Sequence, residues 1–276
     1  MTRGSAPGVT RGGRVTALRI YPLKAAAGIA VDEARVDTLG LQGDRRWMIV
    51  DADGNFVSQR THPRMALVRT LRIDDGIAVS ASSGATIRLH PPPPDARRTT
   101  LRVWFSDRDA LDCGDAAAAW ASDLLGTACR VVHAIDPERG LLLTDEGHPR
   151  SGFADAAPAL VTNQASLADL NHRLDAPIGM DRFRPNIIVG GFGPWEEDEW
   201  GSRRIGEVPT RALKRCPRCT ATRVDQTSGR ISGAEPLATL ATFRRNARGE
   251  VEFGMNIAFR DRGTIRVGDP IGGPDR

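Results

Sequence analysis

Aromatic side chains are scarce in this chain of 276 residues: a single Tyr, 5 Trp and 8 Phe stand against 29 Gly and 18 Pro. That balance favours many turns between short elements and leans towards β structure. Cysteine is scarcer still. Cys113, Cys129, Cys216 and Cys219 are too few for a disulfide-stapled secreted scaffold, so a reducing, cytoplasmic compartment is expected. No window approaches the roughly 20 apolar residues of a spanning helix. Residues 1–13, Gly-rich with Arg3 and Arg11, lack the apolar stretch of a secretory signal and read as a flexible tail. No membrane association is expected. An excess of one charge is also missing, because 38 Lys and Arg nearly balance 34 Asp and Glu for a net +4. So even a spread argues against nucleic acid and leaves a single anionic group as a sufficient partner. There is no Gly-rich phosphate loop, serine elbow or dinucleotide fingerprint, since Gly190-Gly191-Phe192-Gly193 lacks the helix that would have to follow it. NAD, ATP and pyridoxal phosphate are not expected. At 40% hydrophobic and 26% charged residues, the chain is globular rather than disordered or a coiled coil.

What the chain does have is strand spacing. Apolar segments at 18–21, 47–50, 56–58, 67–73, 77–79, 87–89 and 101–105 alternate with turn signals such as Asp74-Asp75-Gly76 and Ser83-Gly84. This predicts a meander or small barrel, with Pro91 to Pro94 at an edge or loop. A helix is expected from Asp115 as N-cap to Leu125, closed by Gly126, with Trp120 and Leu124 facing the first sheet. A second is expected over 166–174, with Ser166 and Asp169 in capping-box spacing, and a third over 235–244 with Pro236 in its first turn. Further strands are expected at 159–162, 187–189, 221–224, 251–257 and 264–267. The fold class is therefore mainly β with peripheral α. A domain boundary is placed between His133 and Gly152, giving a tail at 1–13 and domains at 14–135 and 136–276.

Chemistry concentrates between Arg211 and Arg223, where two thiols and five cations fall within thirteen residues. Dense cations favour a thiolate, which is a soft metal ligand or a nucleophile. Three readings of Cys216-Pro217-Arg218-Cys219 compete: half a zinc knuckle, a redox dithiol, or one cysteine ligating something larger. Cys113 and Cys129 lie far upstream without a matching pair, and Pro217 with the β-prone residues after Cys219 suggests a loop entering a strand. Two buried small hydrophobes beside a solvated basic face is the bland alternative. Residue spacing does not choose among them.

The order of motifs does add something. From about Val15 to Ile271 the chain resembles the MOSC-domain proteins of the amidoxime-reducing component type, with their companion N-terminal β-barrel. The markers are Ile20-Tyr21-Pro22-Leu23-Lys24, Gly43-Asp44-Arg45-Arg46-Trp47, and Asp53-Gly54-Asn55 with Arg60. Further on they are Ala165 to Asn171, Phe183-Arg184-Pro185-Asn186, Cys216-Pro217-Arg218-Cys219, Glu235-Pro236-Leu237 and Gly263 to Asp269. The resemblance implies a small N-terminal β-barrel followed by a MOSC β-barrel. It also implies a molybdenum cofactor (Mo-molybdopterin), with Cys219 as the metal ligand and catalytic residue. Lys24, Arg45, Arg184, Asn186 and Arg218 would bind the cofactor, and Asn256 would line the site. Asp155 and Thr162 are lesser candidates, and Trp195 and Trp200 are read as a substrate rim or, more commonly, as packing for the acidic loop 196–199.

The implied reaction is two-electron reduction of N-hydroxylated compounds, namely hydroxylamines, amidoximes or hydroxylated nucleobases. Electrons would come from a separate protein of ferredoxin, flavoprotein or cytochrome type. The alternative function is a molybdenum-cofactor carrier or sulfur-transfer protein, since a cysteine can carry a persulfide. Ala25 stands where relatives often have Ser after the lysine, which removes one possible hydrogen bond to the cofactor. The five histidines, His62, His90, His133, His148 and His172, show no ligand spacing and read as structural.

Overall fold

Strands carry this protein, and the burial of each explains its place. The computed structural model describes residues 12–104, 106–135, 150–231 and 233–273. The expected tail up to residue 11, most of the expected boundary segment, His148, and Phe105 at the end of the 101–105 strand lie outside the described residues.

The largest sheet has seven strands in the order Ser202–Ile205, Val208–Pro217, Glu252–Phe259, Ala159–Asn163, Ile187–Gly190, Arg14–Ile20 and Ile29–Val31. Only Ala159–Asn163 and Ile187–Gly190 run parallel. Both are buried at every position, as parallel strands covered on two faces should be. Pro270 bridges Arg14 and Ile271 bridges Ile205, so the last described segment links one edge of the sheet with the strand next to the other edge. Val15, Leu18, Val161, Ile187, Val189, Met255, Ile257 and Phe259 fill the core that this curvature encloses.

A four-stranded antiparallel sheet, Trp47–Asp51, Cys129–Ala134, Ser106–Asp112 and Arg98–Val103, carries the helix Asp115–Leu125. Trp120 and Ala121 of that helix are buried, with Leu124 packed beside them. Gly126 closes it in the left-handed region, while the N-cap is Gly114 rather than Asp115. Two three-stranded sheets complete the set. Arg69–Ile73, Gly76–Ser80 and Thr86–Leu89 form one; Gly263–Arg266, Glu33–Asp37 and Gly40–Leu41 form the other. Residues 14–41 are therefore woven into the sheets of the second half, through Arg14–Ile20 on Ile187–Gly190 and Glu33–Asp37 on Gly263–Arg266.

The fold is mainly β with peripheral helices, and five local expectations change. Residues 56–58 are no strand; Phe56 makes a lone bridge to Val50. Residues 221–224 are not a strand either: 221–223 belong to the 3-10 turn Thr220–Arg223, and Val224 makes a lone bridge to Ile231. The second helix runs Gln164–Asn171, and Asn163 caps it by accepting from Ala165 N at 3.1 Å. Ser166 is buried instead and donates to Glu197 at 2.8 Å. The third helix shrinks to Leu237–Ala241. Most consequential is the cysteine loop, which leaves the long strand Val208–Pro217 rather than entering one. Pro209, Pro217 and the run of cations concealed that strand.

Candidate functional site

One cavity, with about 890 Å³ of unfilled space that includes open solvent, is lined by residues from both halves of the chain. Lys24, Arg45, Arg184, Asn186, Arg218, Cys219 and Asn256 all face it. Three turns bring the cations there. The strand Arg14–Ile20 ends at Tyr21, whose carbonyl accepts from Arg45 N at 2.8 Å and whose N–H donates to the Asp44 carboxylate at 2.8 Å. Arg45 and Arg184 both hold left-handed backbones, with φ of 49° and 54°, a conformation rare for long side chains. Their guanidinium groups lie over the Tyr21 ring, 4.5 Å and 4.3 Å from its centre.

Desolvation and pairing set the charges. The Lys24 ammonium is buried, donates to the Phe153 carbonyl at 2.7 Å and forms an ion pair with Asp155. Burial pulls its pKa below the usual lysine value, and Asp155 offsets part of that fall. The Asp155 side chain is 59% exposed to solvent within the cavity, yet protein surrounds it. Burial alone would raise its pKa, but Lys24, and then the Trp104 side chain and Arg45, hold it at about 2. Burial lowers Arg184 to about 10, so it stays charged at neutral pH. Burial pushes Arg45 down as well, but Asp44, Tyr21 and Asp155 together outweigh it and the group ends above its ordinary value.

The two cysteines divide their surroundings. Cys219 is exposed and Cys216 is half-buried, and both line the cavity. Arg218 donates from Nη1 to Cys216 Sγ at 2.9 Å and from Nη2 to the Phe183 carbonyl at 2.7 Å. Phe183 is itself stacked on Phe253, with centroids 3.7 Å apart. Among the described residues, no group of three His, Cys, Asp or Glu side chains could hold a metal ion, so the pair has no further protein donors of that kind around it.

The amides differ. Asn186 is spent on protein: its Oδ1 accepts from Leu160 N and Arg45 Nη1, each at 3.2 Å, and its Nδ2 donates to the Arg19 carbonyl. Asn256 is buried, and its Nδ2 donor has no partner. Asp155 lines the cavity, whereas Thr162 is sealed inside its strand and does not. Trp195 and Trp200 do not rim the cavity. Trp195 packs on Phe243 and Phe253, Trp200 sits in the main core, and Asp198 of the acidic loop forms a two-pronged pair with Arg244 at 2.5 and 2.9 Å.

Against known families, residues 12–128 match the MOSC N-terminal beta barrel domain and residues 148–272 the MOSC domain. Mitochondrial amidoxime-reducing component 1 of Mus musculus is 36% identical over 279 residues, spanning 94% of this chain and 82% of that protein. The chain belongs to the MOSC-domain proteins of the amidoxime-reducing component type. Components 1 and 2 of Homo sapiens are each 33% identical over 277 residues, across 94% of this chain and 82% and 83% of theirs. In this MOSC-domain protein the N-terminal match supplies Lys24 and Arg45 to the cavity, and the MOSC match supplies Arg184, Asn186, Arg218, Cys219 and Asn256.

Sequence reasoning missed Phe56, Gln59 and Trp104 in the cavity wall, and gave Arg60 no role there. Ala25 lines it too, with a left-handed φ of 69° and a carbonyl that accepts from Gln59 Nε2 at 2.7 Å. No periodicity marks such positions, because none lies in a continuous strand or helix.

Proposed function

We propose that this protein reduces N-hydroxylated compounds with a molybdenum cofactor held in the cavity. The observation that carries the reading is the exposed thiol of Cys219 facing a cavity ringed by Lys24, Arg45, Arg184 and Arg218. The residues present fit the group. A thiolate suits a soft metal, guanidinium and ammonium groups suit a phosphate, and the unpartnered Asn256 Nδ2 is a buried donor in want of an acceptor. Cys219 would ligate the metal, while Lys24, Arg45, Arg184 and Arg218 would hold the anionic and polar edges of the pterin. The names of the relatives, amidoxime-reducing components, support the substrate class.

When bound, the cofactor supplies a two-electron couple at one face of the cavity. The N–O bond of R–NH–OH breaks, two electrons and two protons are taken up, and R–NH2 and water leave. The electrons come from a separate electron-transfer protein. Asp155, ionised at neutral pH, pairs with Lys24 and opposes the fall in the lysine pKa that burial causes. Arg184, lowered only to about 10, stays cationic at neutral pH and so orients anionic groups without exchanging protons.

The deciding experiment is elemental analysis of protein made in a cofactor-competent host, wild type beside Cys219→Ala, with turnover assayed using a chemical reductant. One molybdenum per chain, lost in the variant, together with turnover of an N-hydroxylated compound, is the expected result. Binding and release of cofactor without turnover would make the protein a carrier; zinc in place of molybdenum would overturn the reading.

A further inference from the structure

The N-terminal half contributes more than cations to the cavity wall. Phe56 and Trp104 form a tilted pair with centroids 5.8 Å apart, and both line the same cavity as Cys219. The Arg60 guanidinium lies 4.1 Å from the centre of the Trp104 ring and 5.8 Å from that of Phe56. The Lys24 ammonium stands 4.9 Å from the Phe56 ring.

The place of Trp104 in the chain makes this arrangement informative. Val103 pairs with Ser106, and Trp104, directly after Val103, lies in the hairpin turn between the two strands with φ of 59°. Such turns select Asn or Gly, because a bulky side chain is strained at positive φ. A tryptophan there works against local turn chemistry, and a residue kept in a strained conformation at a cavity wall points to a use for its side chain. Ala154, Ala156, Ala157 and Leu160, which line the same cavity, are apolar and mostly small.

We propose that Trp104 and Phe56, braced by Arg60, form a stacking subsite for the ring of a planar aryl or heteroaryl substrate, with Trp104 setting the preference for aromatic over aliphatic N-hydroxylated compounds. The inference rests on the reductase reading and adds a substrate preference to it. A pterin is also a flat heteroaromatic, so it competes for the same rings. The substrate is favoured because Lys24, which touches Phe56, also pairs with Asp155, the solvent-exposed carboxylate of the cavity. The rings thus adjoin the open part of the cavity, while the side chains of Lys24 and Arg45 are only 8% and 14% exposed.

The test compares benzamidoxime with acetamidoxime on cofactor-loaded protein reduced by viologen, in wild type, Trp104→Leu, Trp104→Phe and Phe56→Leu. Molybdenum content is measured for each. The ratio of kcat/KM, aryl over alkyl, should fall about tenfold in Trp104→Leu, fall in the same direction in Phe56→Leu, and be largely restored in Trp104→Phe, the scale expected for loss of one ring stack. Equilibrium dialysis of benzamidine, the amidine product, gives a second readout without turnover and should weaken in step. An unchanged ratio with unchanged benzamidine binding overturns the subsite. Loss of molybdenum from the Leu variants, with both substrates falling together, assigns the rings to the pterin and also overturns it. If benzamidine binds in a Trp104-dependent way but no N-hydroxylated compound is reduced, the reductase reading fails and the ring-binding site stands.

Discussion

Arg218 donates to the sulfur of Cys216, two residues before it and 2.9 Å away, and not to that of Cys219, the next residue in the chain. The pair of cysteines is therefore asymmetric. One thiol is tied up in holding a guanidinium, and the other is left exposed to the cavity. The Phe183 carbonyl fixes the other arm of Arg218, so the cation is held from two sides.

This asymmetry predicts different losses at the two positions. Cys219→Ala should abolish molybdenum retention. Cys216→Ala removes one hydrogen bond from Arg218, worth about 1 kcal/mol, and should weaken retention roughly fivefold, with Cys216→Ser recovering part of it. Molybdenum per chain after gel filtration measures both. Equal, complete loss in both Ala variants would mean that the sulfurs act together.

Lys24 and Asp155 make the second prediction. Asp155→Asn removes the charge that offsets the burial of Lys24 and leaves the ammonium with the Phe153 carbonyl. A fully buried broken pair would cost more, but the Asp155 side chain is largely exposed, so the expected destabilisation is about 1–2 kcal/mol. In the wild type this contribution is complete above pH 4 and is lost as pH falls towards the Asp155 value of about 2. Urea denaturation of the two proteins at pH 7 and pH 3 should show a gap that narrows at the lower pH.

The sequence and the structure agree best where chemistry sits in named turns. Lys24, Arg45, Arg184, Arg218, Cys219 and Asn256 carry functional groups that a motif can mark, and all of them reach one cavity. The mainly β fold is legible from alternating apolar residues and turn signals. Strand Val208–Pro217 is not, since its two prolines and exposed Arg211, Lys214 and Arg215 imitate a loop, and only pairing with Ser202–Ile205 and Glu252–Phe259 makes it a strand. Ser166 looks like a cap by spacing, yet Asn163 one turn earlier takes that role because Ser166 is drawn to the buried carboxylate of Glu197. Trp104 is illegible for a related reason: its position in space comes from a hairpin, and the local sequence contradicts that hairpin.

His133 gives an acid limit. Its ring meets Trp47 edge-on at 4.8 Å, and burial, aided by Arg46, lowers its pKa from 6.5 to about 4. Between those two values the unfolded chain binds more protons than the folded one, so this group costs stability as pH drops from 6.5 to 4 and costs none above that window. The full loss is on the order of 3 kcal/mol. Melting temperature should decline across that window, and His133→Gln should flatten the decline.

Gly254 supports the unpartnered amide of Asn256 through the backbone. It holds φ of 80° inside the strand Glu252–Phe259, where a Cβ would stand 2.7 Å from the Val161 carbonyl oxygen and 2.9 Å from Thr162 Cγ2. Neither neighbour can yield, since both belong to the fully buried strand Ala159–Asn163 that pairs with it. Gly254→Ala therefore combines left-handed strain with a backbone clash, and should destabilise the protein by about 2 kcal/mol or more. The shift would be transmitted two residues on to Asn256 at the cavity. A chemical melt measures the first effect, and molybdenum retention in the surviving folded fraction measures the second. An alanine tolerated without loss of either would mean that the strand has room the backbone geometry denies.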